Sequence, residues 1–231
     1  VRHVKGYTWD TPGNLAIGSG GYPQDAYYTG YYIGLELRAL GINMNFAPTI
    51  DVYSTIESTV IGPRSFGENP KYTGILGAAW AKGHADAGII ATAKHFPGHG
   101  DTDVDSHGAL PIIDIDEETL FSRELIPFMS LIEAKVPAIM TGHISFPKIV
   151  PNGEPASLSK NFITGILRNK LGYEGLVITD DIMMQGAWQY AGVVSNVVRL
   201  AIEAGNDIVI SSSTAGLNEA LWRNNLQLMT T

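Results

Sequence analysis

Long helical patterns alternate along this chain with short apolar runs rich in β-branched residues, and that alternation restricts the fold more than any other feature. Helical patterns cover 22–40, 70–87, 116–134, 160–171 and 193–204, and a last one closes the chain. Between them lie INMNFAPTID (42–51), IIATAKHF (89–96), VPAIMTGHI (136–144), GLVITDD (175–181) and NDIVISS (206–212). Strands that read almost wholly apolar are buried on both faces, so the pattern predicts an α/β fold with a parallel sheet covered by helices. Gly41, Gly88, Gly172 and Gly205 fall where helices should stop, since a helix C-terminus favours a left-handed residue. Asp114 or Asp116 before EETL, and Ser159 before KNFI, supply oxygens suited to capping helix starts. No low-complexity linker or charge run interrupts the series, and 1–231 reads as one domain.

Two parallel α/β architectures compete, an open doubly wound sheet and a (β/α)8 TIM barrel. No G-x-G-x-x-G follows any strand, which weighs against a dinucleotide-binding sheet. Asp51, Lys94 with His95, His143, and Asp180 with Asp181 each stand at the C-terminal end of a different apolar run. Barrels build their active sites from several strand ends on that rim, whereas an open sheet concentrates its site at one switch point. The barrel is favoured. Only five strands are present where a closed barrel has eight, so three strand–helix units are expected before Val1. Any export signal is expected in that upstream part as well.

Composition narrows the partners. With 15 Lys+Arg against 23 Asp+Glu the formal charge is −8, which disfavours nucleic acid, because phosphate binding wants a basic face. No run of about 18 apolar residues suggests a membrane span. The absence of Cys removes disulfide and thiolate chemistry.

The densest polar segment is KHFPGHGDTDVDSH, from Lys94 to His107. Pro97, Gly98 and Gly100 make it a shaped loop rather than a helix. Three readings of such a loop compete: a metal site, a solvated turn and an acid/base pair. Asp101, Asp103 and Asp105 open like a calcium loop, but its sixth position is Ser106 and its twelfth Ile112, so that motif fails. A zinc site drawing on His95, His99 and His107 lacks H-E-x-x-H or paired cysteines. The polar residues could also do no more than solvate a turn. In the third reading Asp105 and His107, two apart, form an acid/base pair in which the carboxylate fixes the imidazole tautomer and stabilises its protonated form. The nucleophile would then come from elsewhere, and Asp180, ending the run GLVIT, is the natural carboxylate to attack an anomeric carbon.

The Lys94–His107 segment resembles the signature of the NagZ-type β-N-acetylglucosaminidases of glycoside hydrolase family 3. GLELRALGINMNFAPTIDV, IGPRSFGENP, PAIMTGHISFP, SLSKNFITGILRNKLGYEGLVITDDIMM and AIEAGNDIVI resemble further blocks of that family, in the family's order. The likeness extends over nearly the whole chain. It implies a (β/α)8 barrel of which this chain covers strands 4–8. It also implies a nucleophile at Asp180, a general acid/base at His107 partnered by Asp105, and sugar-hydroxyl contacts from Asp51, Arg64, Lys94 and His95. His143 either lines the same pocket or satisfies backbone groups, and His99 and Asp101 shape the loop. The implied substrate is an N-acetylglucosamine-containing glycoside cleaved with retention of configuration, without a metal or organic cofactor. A phosphorylase using phosphate in place of water, a family 3 β-glucosidase or β-xylosidase, and a non-catalytic sugar-binding barrel are the alternatives.

Overall fold

A computed structural model describes residues 10–55, 58, 60–102 and 108–213. Its residue contacts separate into two compact units, Val1–Asp103 with Glu118–Met140 and Val104–Glu117 with Thr141–Thr231.

The first unit contains α1 (Asn14–Gly20), α2 (Pro23–Ala39), β1 (Met44–Asn45), α3 (Pro70–Asp86) and β2 (Ile90–Phe96). The short helix α4 (Glu117–Thr119) runs through a π-wound turn, Leu120–Glu124, into α5 (Leu125–Glu133), and β3 (Ala138–Thr141) follows, with Glu117 and Thr141 at the two boundaries belonging to the second unit. Proline at the first position starts both α2 and α3, where a missing N–H costs nothing. Asn69 adds a side-chain cap to α3, accepting from the amides of Lys71 and Tyr72 at 3.1 Å each. Gly41 and Gly88 take φ of 80° and 79° just beyond α2 and α3, as the sequence suggested.

Parallel pairing joins β1 to β2, with Met44 opposite Ile90. The strand expected over 42–51 is thus only two residues long, with a separate bridge from Thr49 to Lys94. Pro48 lies between the two paired stretches and has no N–H to give a ladder. Helices α2 and α3 pack through reciprocal glycines: a Cβ at Gly30 would overlap the Trp80 carbonyl, and one at Gly83 the Tyr27 carbonyl. Ile33, Leu37, Phe66, Leu76, Trp80 and Ile89 fill the core around this contact.

His84 is buried in that core, stacked on Trp80 at 3.9 Å. Its Nδ1–H donates to the Gly30 carbonyl at 2.6 Å, so Nε2 accepts from Asn45 Nδ2 at 2.9 Å. Burial drives its pKa down to about 4, against the Gly30 hydrogen bond. Since the unfolded value is the higher one, His84's contribution is complete above about pH 6.5 and is lost as pH falls toward 4. The shift is worth ~3 kcal/mol. His84→Gln, which can keep one donor and one acceptor, should therefore flatten the fall in melting temperature between pH 7 and pH 4.5. Parallel thermal melts of the two proteins check this, and identical slopes would refute it.

The second unit holds the π-wound helix Asn161–Lys170, β4 (Leu176–Asp181), α6 (Gln185–Ala191), α7 (Val194–Ala204) and β5 (Ile208–Ile210). Strands β4 and β5 are parallel, with an irregularity between Ile178 and Asp181. Ile182, Ala187, Val197 and Ala201 form a core with Leu158. The buried Asn206 ties it together, donating to the carbonyls of Ser157 and Ala201 at 2.8 and 2.7 Å and accepting from Thr141 Oγ1 at 2.9 Å. Ser159, expected to cap the helix after it, instead donates its hydroxyl to Glu154 Oε1 at 2.5 Å. Asp114 is drawn away from a capping role toward Lys148, 2.9 Å distant. The helix expected to close the chain lies outside the described residues. Among the described residues no helix is long and apolar enough to cross a membrane.

Candidate active site

The site residues anticipated from the sequence fall into two described groups, one in each unit, while Asp105 and His107 lie outside the described residues.

In the first unit, the hydrogen bond from Ile50 N to Lys94 O, at 2.8 Å, brings Asp51 beside the end of β2. Asp51 is fully buried. Its Oδ1 accepts the amides of His95 and His99 at 3.1 and 2.8 Å, and its Oδ2 accepts from His95 Nδ1 at 2.8 Å. Burial would raise the Asp51 pKa, but the His95 imidazole, the nearby His99 and the His95 amide together hold it at about 2. Arg64, exposed on the turn Gly62–Arg64, approaches His95 Nε2 through Nη2 at 3.4 Å. A guanidinium can only donate, so Nε2 is the acceptor and Nδ1 carries the hydrogen that Asp51 receives. The chain Arg64–His95–Asp51 therefore fixes both the position and the tautomer of the imidazole. Lys94, half-buried, precedes His95 on the same strand.

The loop after β2 is shaped by close packing. Gly98 has a φ of 136°, and a Cβ there would meet Glu124 Oε2 at 2.7 Å. A Cβ at Gly100 would overlap the carbonyl of Val52. Asp101 accepts from Thr55 Oγ1 at 3.1 Å and from Arg123 Nη2 at 2.5 Å. Burial favours a raised Asp101 pKa, and Arg123 outweighs it and lowers the value. The loop-shaping role anticipated for Asp101 thus has a named partner. Arg123 and Glu124 were not singled out in the sequence. The available signal was a carboxylate four residues from both Leu120 and Phe128, on a stripe otherwise apolar and buried.

In the second unit, Asp180 and Asp181 end β4. Asp181 Oδ1 accepts the amides of Met183 and Ser212, each at 3.0 Å, which joins the turn after β4 to the segment after β5. Asp180 Oδ1 accepts the amide of Asp181 at 2.8 Å. His143 is buried, and its Nε2–H donates to the Asp181 carbonyl at 3.1 Å. Its Nδ1 consequently accepts the Ser157 hydroxyl at 2.6 Å. Burial keeps its pKa below the ordinary value, despite the opposing charge of Asp180. His143 thus links the Ser157 hydroxyl to the backbone at the end of β4.

A strand end bearing adjacent aspartates, and a histidine-rich loop locked by buried carboxylates, is where comparison with known proteins becomes informative. The pattern of the glycosyl hydrolase family 3 N terminal domain matches residues 1–226. The chain belongs to glycoside hydrolase family 3. This family 3 chain is 43% identical over 213 residues to a protein named beta-hexosaminidase A from Pseudoalteromonas piscicida, covering 86% of the chain and 35% of that protein. It is 40% identical over 186 residues to a beta-hexosaminidase from Thiobacillus denitrificans, covering 79% and 50% respectively. Among solved structures, a glycoside hydrolase family 3 beta-N-acetylglucosaminidase from Paenibacillus sp. superposes with a TM-score of 0.93 at 42% identity, over 98% of this chain and 43% of that one. The family 3 chain thus spans about half or less of the length of these relatives.

Proposed function

We propose that the full-length protein is a retaining, exo-acting β-N-acetylglucosaminidase, and that 1–231 is part of a single catalytic (β/α)8 barrel domain in which it supplies strands 4–8. Asp180 attacks the anomeric carbon while His107, oriented by Asp105, protonates the departing glycosidic oxygen. A glycosyl–aspartate ester forms as the glycosidic bond breaks. Water then gives a proton to His107 and attacks the same carbon, releasing the sugar with its β-configuration and the Asp180 carboxylate. Asp51, Arg64, Lys94 and His95 hold the sugar hydroxyls.

The observation that carries this reading is the division of labour at the end of β4. Asp181 Oδ1 is a structural acceptor for amides from two separate segments, those of Met183 and Ser212, whereas Asp180 Oδ1 accepts the amide of the adjoining residue, which supports Asp180 as the aspartate used in the chemistry. A histidine acid/base also suits the approach of a carboxylate nucleophile, because the protonated imidazole that serves as the acid carries a positive charge and attracts it. The choice of N-acetylglucosamine rests on the Lys94–His107 motif and on relatives named beta-hexosaminidase and beta-N-acetylglucosaminidase.

The test compares 4-nitrophenyl β-N-acetylglucosaminide with the β-glucoside, follows product configuration by NMR, and repeats the reaction in phosphate buffer. Faster turnover of the N-acetylated substrate, β-configured sugar as the first product and no sugar phosphate are expected. Equal turnover of the two substrates, inversion, or sugar 1-phosphate as the main product would overturn the assignment.

A further inference from the structure

Four consecutive residues at the base of the histidine loop are each held by a different neighbour. Gly98 lies against Glu124, the His99 amide is bound by Asp51, Gly100 is packed on the Val52 carbonyl, and Asp101 is gripped by Arg123 and Thr55. The first contact is with the buried Glu124 side chain, the second belongs to the His95 site and the third to buried backbone. The fourth is different: an ion pair at the point where the chain sets out toward Asp105 and His107, with Arg123 and Asp101 side chains only 30% and 24% exposed.

Arg123 is in turn fixed from behind. Its Nε donates to Glu124 Oε1 at 2.6 Å, and the Glu124 side chain is wholly buried. One carboxylate oxygen of Glu124 thus steadies the guanidinium while the other abuts Gly98, so a single π-wound turn, Leu120–Glu124, contacts the loop base at both of its ends. An arginine held at two nitrogens has little freedom left to lose when it binds a second carboxylate.

We infer that Arg123 is a positioning residue for the acid/base loop, acting through Asp101 to set the direction in which the chain leaves the sheet and so the placement of His107. This rests on the assignment of His107 as the acid/base. General acid catalysis demands placement to within a fraction of an ångström, and a displacement of about 1 Å can cost ~10²-fold in rate.

The experiment measures kcat/KM of the full-length enzyme on N-acetylglucosamine disaccharide and on 2,4-dinitrophenyl β-N-acetylglucosaminide. The second leaving group departs without a proton. Arg123→Met and Asp101→Asn should lose ~10²-fold on the disaccharide and no more than a few-fold on the dinitrophenyl substrate, with Arg123→Lys partly restoring the former. Asp101→Asn leaves the Arg123–Glu124 pair intact, so it decides the matter if Arg123→Met fails to fold. His107→Ala is measured alongside. If His107→Ala shows the leaving-group dependence but Asp101→Asn does not, or if Asp101→Asn falls equally on both substrates, the positioning role is wrong and the acid/base assignment stands. If His107→Ala lacks that dependence, the assignment fails first and takes the proposal with it.

Discussion

Asp180→Ala should lower kcat of the full-length enzyme by ~10⁴-fold or more on every β-N-acetylglucosaminide, good leaving group or poor. In the proposed mechanism the ester forms on Asp180, and protonation of the leaving oxygen alone leaves the anomeric carbon without an attacking partner. Asp181→Asn gives the contrast. Asparagine keeps an oxygen for the amides of Met183 and Ser212, so the loss should stay near tenfold, the size of one weakened hydrogen bond. A slow fluorinated glycosyl donor followed by peptide mass spectrometry locates the ester directly. Label on any carboxylate other than Asp180, or an Asp180→Ala enzyme turning over at the parental rate, ends the assignment.

His107→Ala should cost 10²- to 10⁴-fold, the usual order for general acid catalysis, in kcat/KM for a disaccharide, and almost nothing for the dinitrophenyl substrate. The split arises because a dinitrophenolate is stable as an anion, whereas a sugar alkoxide is not. Asp105→Asn should act through the histidine. Removing a carboxylate from beside an imidazole lowers the imidazole pKa, so the basic limb of the kcat/KM profile, where the acid form is lost, should move to lower pH. A basic limb that stays in place, or a uniform loss on both substrates for His107→Ala, would show that proton delivery lies elsewhere.

The parallel α/β class was legible because long periodic helices and apolar strands dominate the chain, and α2, α3, β2 and β4 fall close to where periodicity puts them. The helices α1 and α6 were not legible. Each is seven residues long, and Asn14–Gly20 contains two glycines and is capped by a third, Gly21, so no helical period can develop. Gly18 is there because a Cβ would overlap the Phe66 carbonyl, a constraint imposed from another part of the chain. The π-wound stretches at 120–124 and 161–170 escaped for a different reason. An apolar stripe looks much the same whether its hydrogen bonds span four residues or five.

At the site, side chains that sit at strand ends were visible because barrel rims collect polar residues after apolar runs. Arg123 was hidden in a helix-like segment whose charged residues resemble an ordinary solvated face, and Glu124 was marked there by nothing more than its place on the apolar stripe. His143 was visible but ambiguous, and its partners Ser157 and Asp181 lie 14 and 38 residues away. No local pattern could have supplied them.

Engineers who exchange substrate-facing segments among related glycosidases would choose Lys94–His107 as a cassette. The contacts at 98–101 mean that it is not self-contained. A graft that imports those four positions must import matching residues at 51, 52, 55, 123 and 124 with them, or else place its upstream junction after Asp101 and inherit the recipient's own anchorage.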